Sequence, residues 1–336
     1  MKRTSSRLAV LGAALAGLLT PLLATPAQAA APVYVALGDS YASGTGTRSY
    51  IGDGTTCQRS TRAYPSLIAA ARGYALNFRA CSGARIADVT ATQLSALTPA
   101  TTYVTISVGG NDAGFADVLT TCALPGWMSN CTGAINTAQS YISSTLPTQL
   151  AGLYADIRGR APAAKVVVVG YPRVFMGEDC NAFTWFSPTE QARLNQTADL
   201  LNSRTAAAAA ASGFSFADPT GAFTGHAVCD DPEYLNGLSS PVTESYHPNT
   251  LGHSAGYTPV VSSVVGPALA VTGRVRAASD ASAADQAALQ RQYAAADRRI
   301  EPERFVRPDL TTPEARRAAR RAGIDLDRFL ARSRGR

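Results

Sequence analysis

The sequence is poor in histidine, in charged residues and in long apolar segments. Three of its 336 residues are histidines, and charged residues make up 16% against 46% hydrophobic residues. This composition excludes a wholly disordered chain, because such chains are rich in charge and poor in hydrophobic residues. No two cysteines are spaced as C-x-x-C, a spacing typical of structural zinc sites, so we expect no metal.

Basic charge is concentrated at the two ends of the chain. Residues 1–30 carry 3 basic and no acidic residues, residues 31–271 carry 12 and 15, and residues 272–336 carry 15 and 9. The corresponding net charges are +3, −3 and +6. Because the long central part is mildly acidic, it offers no electrostatic surface for a phosphate backbone, and no nucleic acid partner is expected.

The first thirty residues have the pattern of a secretory leader. Three basic residues precede an apolar run over residues 8–24, and Ala27-Gln28-Ala29 supplies the small residues of a signal-peptidase site. A membrane anchor is the alternative, but a Thr-Pro pair interrupts the run, which is shorter than the roughly 20 residues that span a bilayer. We therefore predict a signal peptide over residues 1–29 and a secreted, extracellular protein.

The six cysteines all lie in the central part of the chain, which suits disulfides in an exported protein. Spacing alone does not choose among the possible pairings. The sequential set is the simplest topologically, and each bridge would stabilise the fold by about 2 to 4 kcal/mol. This set is Cys57–Cys81, Cys122–Cys131 and Cys180–Cys229.

Short apolar runs alternate with helix-like segments in the central part of the chain. The strand-sized runs lie at residues 33–37, 103–108, 165–169 and, more weakly, 213–218. The helix-like segments lie at residues 64–72, 134–160 and 188–211, and a break in the second is expected near Pro147. This alternation predicts an α/β fold with a mainly parallel sheet, in which ligands bind beyond the carboxyl ends of the strands.

The last part of the chain, residues 272–336, differs in composition from the rest. It is rich in alanine, arginine and aspartate, has few β-branched or aromatic residues, and contains no cysteine. We predict a basic, Ala/Arg-rich tail that is disordered or partly helical and builds no core of its own. The alternative to a passive tail is a basic arm that makes weak contact with anionic surfaces.

Two serines occupy settings that suit a nucleophile. Ser254 lies in a Gly-His-Ser-Ala-Gly sequence that matches the elbow of α/β-hydrolases, but no strand precedes it and no histidine follows it. Ser40 lies in Gly-Asp-Ser-Tyr-Ala-Ser-Gly, directly after the first predicted strand. The flanking glycines allow a sharp turn that exposes the hydroxyl, and the alternative for this block is an Asp/Ser cap at the start of a helix.

Three further blocks follow Ser40 along the chain. Gly83 lies in Cys-Ser-Gly-Ala, Asn111 in Gly-Gly-Asn-Asp, and His247 in Glu-Ser-Tyr-His-Pro. Together the four blocks resemble those of the SGNH (GDSL) hydrolase family, in particular its secreted actinobacterial, Streptomyces-type esterase and lipase branch with three disulfides. The resemblance covers roughly residues 33–265 and implies a single three-layer α/β/α, flavodoxin-like hydrolase domain over residues 30–271.

The resemblance also implies a role for each block. Ser40 would be the nucleophile and His247 the general base, while the N–H groups of Ser40 and Gly83 and the amide of Asn111 would form the oxyanion hole. The family's last block usually has an aspartate three residues before the histidine, where this chain has Glu244. Glu244 is therefore a possible triad acid, and the alternative is a main-chain carbonyl that holds the histidine.

These expectations describe a secreted carboxylic ester hydrolase, an esterase or lipase with an acyl-serine intermediate. We expect no cofactor, an acyl ester or lipid substrate, and a monomer. A phospholipase, a carbohydrate acetylesterase or a peptidase could use the same residues, and a catalytically silent binding module is the alternative from another class. From composition, the expected walls of an acyl site are residues 51–62 and 122–131 together with Phe183, Trp185 and Phe186.

Overall fold

The structure is a computed structural model that describes residues 30–302 and 304–333. The predicted signal peptide, residues 1–29, lies outside the described residues. Within the described part of the chain, no helix is both long enough and apolar enough to cross a membrane.

Five parallel strands form one sheet in the order β2-β1-β3-β4-β5. The strands are β1 Val33–Gly38, β2 Ala75–Phe78, β3 Thr101–Ser107, β4 Lys165–Val169 and β5 Ser215–Ala217. Val35, Val104 and Val166 are in register across the three central strands. Consecutive residues of these strands are buried, so both faces of the sheet are covered, as continuous apolar runs predict. The predicted α/β fold with a parallel sheet is confirmed.

Helices pack on this sheet and extend to the end of the described chain. They are, in order, α1 Ser40–Ser43, α2 Tyr64–Arg72, α3 Ile86–Asp88, α4 Phe115–Cys122, α5 Cys131–Ser144, α6 Leu146–Arg160, α7 Pro188–Ala211, α8 Thr220–Phe223, α9 Thr258–Val265, α10 Gly273–Ala281, α11 Ala283–Arg291, α12 Ala294–Asp297, α13 Pro313–Arg321 and α14 Leu326–Ser333. The start of α7 follows from its sequence, because Ser187 and Glu190 form a capping box around Pro188. The helix-like segment over residues 134–160 is divided into two helices near Pro147, where a break was expected, and Pro147 lies in the first turn of α6.

Three disulfides link loops around the sheet. They join Cys57 to Cys81, Cys122 to Cys131 and Cys180 to Cys229. The sequential pairing is therefore the one that the structure contains. The first bridge ties the loop after α1 to the turn after β2, and the second ties the end of α4 to the start of α5.

The tail that was expected to be disordered or partly helical is helical over much of its described part, residues 273–333, and this C-terminal extension packs against the domain. Helix α10 contacts α2, and α11 contacts the edge strand β2. Much of this interface is polar: Ser279 donates to the carbonyl of Thr61 at 2.6 Å, and Ser66 donates to Gln286 at 3.1 Å. The extension therefore needs no hydrophobic core of its own, because its helices pack onto the surface of the domain. Contact of its arginines with an anionic surface stays a prediction.

Four buried charged residues join the extension to the domain. Arg59 contacts Asp53 and Asp297, and Arg79 contacts Asp297, each at 2.6 Å. These side chains, which we call the Arg–Asp cluster, are between 0% and 3% exposed. The domain supplies two arginines and one aspartate to this cluster. The second aspartate, Asp297, comes from the C-terminal extension and makes the numbers of positive and negative side chains equal.

Candidate active site

The turn after β1 presents Ser40 at the carboxyl end of the sheet. Gly38 has a φ of +125°, and a Cβ there would lie 2.4 Å from the carbonyl oxygen of Ser107 on β3, so this close approach requires glycine. Asp39 caps α1 by accepting a hydrogen bond from the N–H of Tyr41 at 3.0 Å. Strand, turn and cap together fix Ser40 as the first residue of the helix.

Ser40 and His247 are hydrogen-bonded to each other. The distance between Ser40 Oγ and His247 Nε2 is 2.9 Å, and His247 Nδ1 lies 2.9 Å from the carbonyl oxygen of Ser245. A carbonyl only accepts, so Nδ1 carries the proton and Nε2 is left to accept from the serine. This tautomer is the one that a general base for Ser40 requires.

Glu244 does not orient His247 in the structure, so the expectation of a triad acid is not met. Its carboxylate accepts from the hydroxyl of Tyr50 at 2.6 Å and from Arg48 Nε at 3.2 Å. The physical reason is that the main-chain carbonyl of Ser245 already occupies the hydrogen-bonding position on Nδ1. The alternative of a main-chain carbonyl that holds the histidine is the arrangement found.

Gly83 and Asn111 line the same cavity as Ser40 and His247. We call this space the catalytic cavity. Asn111 Nδ2 donates to the carbonyl of Ala84 at 3.0 Å, which holds the amide next to Gly83. An amide nitrogen carries two hydrogens, so the second is left for a ligand in the cavity. The four predicted residues are thus brought together.

Two tyrosines and an asparagine support this arrangement, and the sequence analysis missed all three. Tyr41 donates to the carbonyl of Tyr246 at 2.6 Å, and the N–H of Asn236 donates to the carbonyl of His247 at 2.9 Å. Tyr171 donates to Asp39 at 2.5 Å beneath the nucleophile turn. The contacts of the two tyrosines join residues that are distant in sequence, whereas Asn236 and His247 are closer along the chain. No local sequence pattern predicts any of the three contacts.

A second, largely apolar cavity opens beside Ser40. Its apolar walls come from α4, α5, α7 and the segment after β4, and include Val118, Leu119, Ile142, Val174, Leu194 and Leu201. The expected walls were therefore wrong: neither residues 51–62 and 122–131 nor Phe183, Trp185 and Phe186 line this space. Composition identified aromatic loops but could not show which helices face the nucleophile.

Comparison with known proteins agrees with this site. Residues 36–255 match the model of the GDSL-like lipase/acylhydrolase family. This chain belongs to that family. Lipase 1 of Streptomyces coelicolor is 47% identical over 261 residues, which are 77% of this chain and 95% of that protein.

Two solved structures of the family are similar to this chain. The extracellular lipase of Streptomyces rimosus has a TM-score of 0.66 and 47% identity, covering 70% of this chain and all of that one. The phospholipase A1 of Streptomyces albidoflavus has a TM-score of 0.66 and 44% identity, covering 70% of this chain and 99% of that one. Since the rimosus lipase matches over its whole length, about three tenths of this chain has no counterpart there.

The remaining serine and histidines singled out from the sequence contact other groups. Ser254 lies within a π-helical segment, Gly252–Tyr257, rather than on a strand-to-helix elbow, and its Oγ is 3.5 Å from the carbonyl of Leu251. His226 stacks on Tyr234 and bonds the carbonyl of Pro232. His253 is buried and accepts from the N–H of Tyr64. These contacts are structural, which leaves Ser40 and His247 as the candidate reactive pair among the residues singled out from the sequence.

One group of possible metal ligands occurs among the described residues. Ligand atoms of Cys180, Cys229 and Glu233 lie within 4.8 Å of one another. The two sulfur atoms are joined in a disulfide, whereas a metal site needs thiolates. This group is therefore not a candidate metal site.

Burial changes the acidity of the groups around Ser40. Burial lowers the pKa of His247 to about 4, although its hydrogen bond with Ser245 raises it. Burial raises the pKa of Asp39 to about 7, against hydrogen bonds from Tyr171 and Tyr41 that lower it. At neutral pH the imidazole is therefore uncharged and able to accept a proton.

This acidity predicts the pH dependence of the reaction. Only neutral His247 accepts the serine proton, so kcat/KM on a soluble ester is expected to fall in acid with a midpoint near pH 4 rather than at the ordinary histidine value of 6.5. The measurement is kcat/KM from about pH 3 to pH 8. A midpoint at or above 6.5 would contradict the prediction.

Folding must be followed in the same experiment. Burial also lowers the pKa of His253, to about 3, so both histidines bind protons more readily in the unfolded chain than in the folded one. By linkage, stability is lost as the pH falls below 6.5, the ordinary value of the unfolded chain. Tryptophan fluorescence at each pH separates this loss of fold from protonation of the base.

Proposed function

We propose that this protein is a secreted carboxylic ester hydrolase that forms an acyl intermediate on Ser40. The observation that carries the proposal is the 2.9 Å hydrogen bond between Ser40 Oγ and His247 Nε2 within a cavity that Gly83 and Asn111 also line. The leader pattern of the sequence and the three disulfides support export.

The reaction follows from the positions of these groups. Ser40 Oγ attacks the ester carbonyl while His247 Nε2 takes its proton, and the N–H groups of Ser40 and Gly83 and the amide of Asn111 receive the charge on the carbonyl oxygen. His247 then gives the proton to the alcohol, which leaves. Water attacks the acyl-serine with His247 again as base, and the carboxylic acid departs.

The apolar cavity supports substrates with an aliphatic acyl chain. It adjoins Ser40 and Asn111, where the carbonyl carbon would lie during attack, and apolar side chains from three helices line it. The names of the relatives, a lipase and a phospholipase A1, are in keeping with this substrate class. We therefore favour an esterase or lipase over a carbohydrate acetylesterase.

A covalent probe tests the nucleophile directly. The mature protein, incubated with a fluorophosphonate and digested, is expected to carry the label on Ser40, as mapped by mass spectrometry. His247→Ala should abolish labelling, whereas Ser254→Ala, the matched control, should leave it intact. Label on Ser254 would contradict the assignment, and no label on a folded, disulfide-bonded protein would favour a binding module.

The acyl preference is measured with p-nitrophenyl esters from acetate to palmitate. We expect kcat/KM to rise from acetate to longer chains, because each added methylene buries apolar surface worth about 0.8 kcal/mol. A preference confined to acetate would contradict an esterase or lipase of aliphatic chains.

A further inference from the structure

The C-terminal extension contributes one side chain to the catalytic cavity. Phe305 lines this cavity together with Ser40, Gly83, Asn111 and His247. Its side chain is only 5% exposed, and its ring packs edge-on against Tyr246 with centroids 5.0 Å apart. The match to the family model ends at residue 255, so this wall of the cavity is formed by chain that lies beyond the family domain.

The two cavities at Ser40 differ in their contact with His247. Asn111 and Ser40 line both, whereas His247 lines the catalytic cavity and not the apolar one. Because His247 gives its proton to the departing alcohol, the alcohol must lie on the side of His247. The acyl chain therefore takes the apolar cavity, and the alcohol portion takes the catalytic cavity, of which Phe305 is a wall.

Phe305 is held in place from both directions along the chain. The segment that carries it, residues 304–312, is called the strap here. Upstream of the strap, Asp297 lies in the buried Arg–Asp cluster. Within it, the N–H of Val306 donates to Thr120 Oγ1 at 2.9 Å, and Leu310 is 3% exposed.

The chain is also anchored downstream of the strap. Phe329 packs against Trp127 and against Trp185, with ring centroids 5.7 Å apart in each pair. These anchors make the ring a fixed part of the site.

We propose that Phe305 is a specificity-determining residue that limits the size of the alcohol portion of the ester. The inference rests on the proposed function and adds a selectivity to it. The catalytic cavity is small, and Phe305 lines it together with residues of the nucleophile turn and of the His247 loop. Esters of small primary alcohols fit beside the ring, and bulky alcohols meet it.

The test compares two esters that differ only in the alcohol. Ethyl butyrate and cyclohexylmethyl butyrate share the acyl group, and both release a primary alcohol. In the full mature chain, Phe305→Ala is expected to raise the ratio of kcat/KM for the bulky ester to that for the small one by about tenfold or more, since relief of a steric wall is worth that much in a pocket. Val306→Ala is the matched control, because Val306 is the next residue of the strap and is 60% exposed. Its ratio should equal that of the wild type.

The outcomes separate the inference from the function on which it rests. An unchanged ratio in folded Phe305→Ala would overturn the inference. An equal rise of kcat/KM for both esters would also overturn it, because Phe305 would then hinder every substrate and not select by the size of the alcohol. Should Phe305→Ala fail to fold, Phe305→Leu keeps an apolar side chain and is expected to raise the ratio by about threefold; no rise would again overturn it. Hydrolysis of neither ester by the wild type would contradict the proposed function itself.

Discussion

Alanine in place of Ser40 or His247 is expected to lower kcat on p-nitrophenyl butyrate by on the order of 10⁵-fold or more. Ser40 forms the covalent bond, and His247 moves the proton that allows it, so neither residue works without the other. The double variant should therefore be no slower than either single variant, because residues that act as a unit are not additive. A double variant slower by the product of both effects would contradict the dyad.

Glu244→Gln is the control that tests how the histidine is held. If a carboxylate oriented His247, loss of its charge would lower kcat by about 10⁴-fold. The structure gives this task to the carbonyl of Ser245, and Gln at position 244 can still accept from Tyr50. We therefore expect Glu244→Gln to keep kcat within about tenfold of the wild type.

Asp297→Ala is expected to lower the free energy of unfolding by about 3 to 5 kcal/mol. The substitution leaves Arg59 and Arg79, both fully buried, with Asp53 as the only carboxylate remaining in the cluster. A buried charge that has lost its partner destabilises the folded state far more than the intact ion pair does. Urea unfolding followed by tryptophan fluorescence measures the difference.

Asp280→Ala is the matched control for this measurement. Asp280 also lies in the extension and also pairs with an arginine, Arg62, but the two side chains are 39% and 32% exposed. Exposed pairs contribute between about 0 and 1 kcal/mol, so the variant should lie close to the wild type. Equal losses of unfolding free energy in the two variants would show that the buried Arg–Asp cluster contributes no more stability than an exposed ion pair.

Local patterns were enough to predict most of the sheet, whereas the candidate pair depended on more distant parts of the sequence. Ser40 follows an apolar strand and lies between glycines, but its assignment and that of His247 depended on four ordered blocks that resemble those of the family. Strand β2 was missed because it is only four residues long, three of them at least partly exposed, and Asn77 interrupts its apolar residues. The orientation of His247 could not be assigned, because it depends on which of two acceptors reaches Nδ1 in three dimensions.

The extension shows a different limit of sequence analysis. Its low content of β-branched and aromatic residues indicated that it builds no core of its own, but composition does not report contacts with the rest of the chain. Asp297 lies 238 residues from Arg59 and meets it through a hydrogen bond of specific geometry. Phe305 is one of the few aromatic residues in this part of the chain, and its approach to the catalytic cavity became visible only in the fold.

The order of Asp297 and Phe305 along the chain gives proteolysis two different consequences. A cut before Asp297 separates this carboxylate from the piece that carries Arg59 and Arg79. The aspartate that pairs with both buried arginines would then no longer be covalently attached to the domain. A cut between Asp297 and Phe305 leaves all four charges on one piece and removes only the upstream anchor of the strap, so that the contacts of Val306 and Phe329 alone hold the wall of the catalytic cavity. The same extension thus has one point where cleavage affects stability and another where cleavage affects the site.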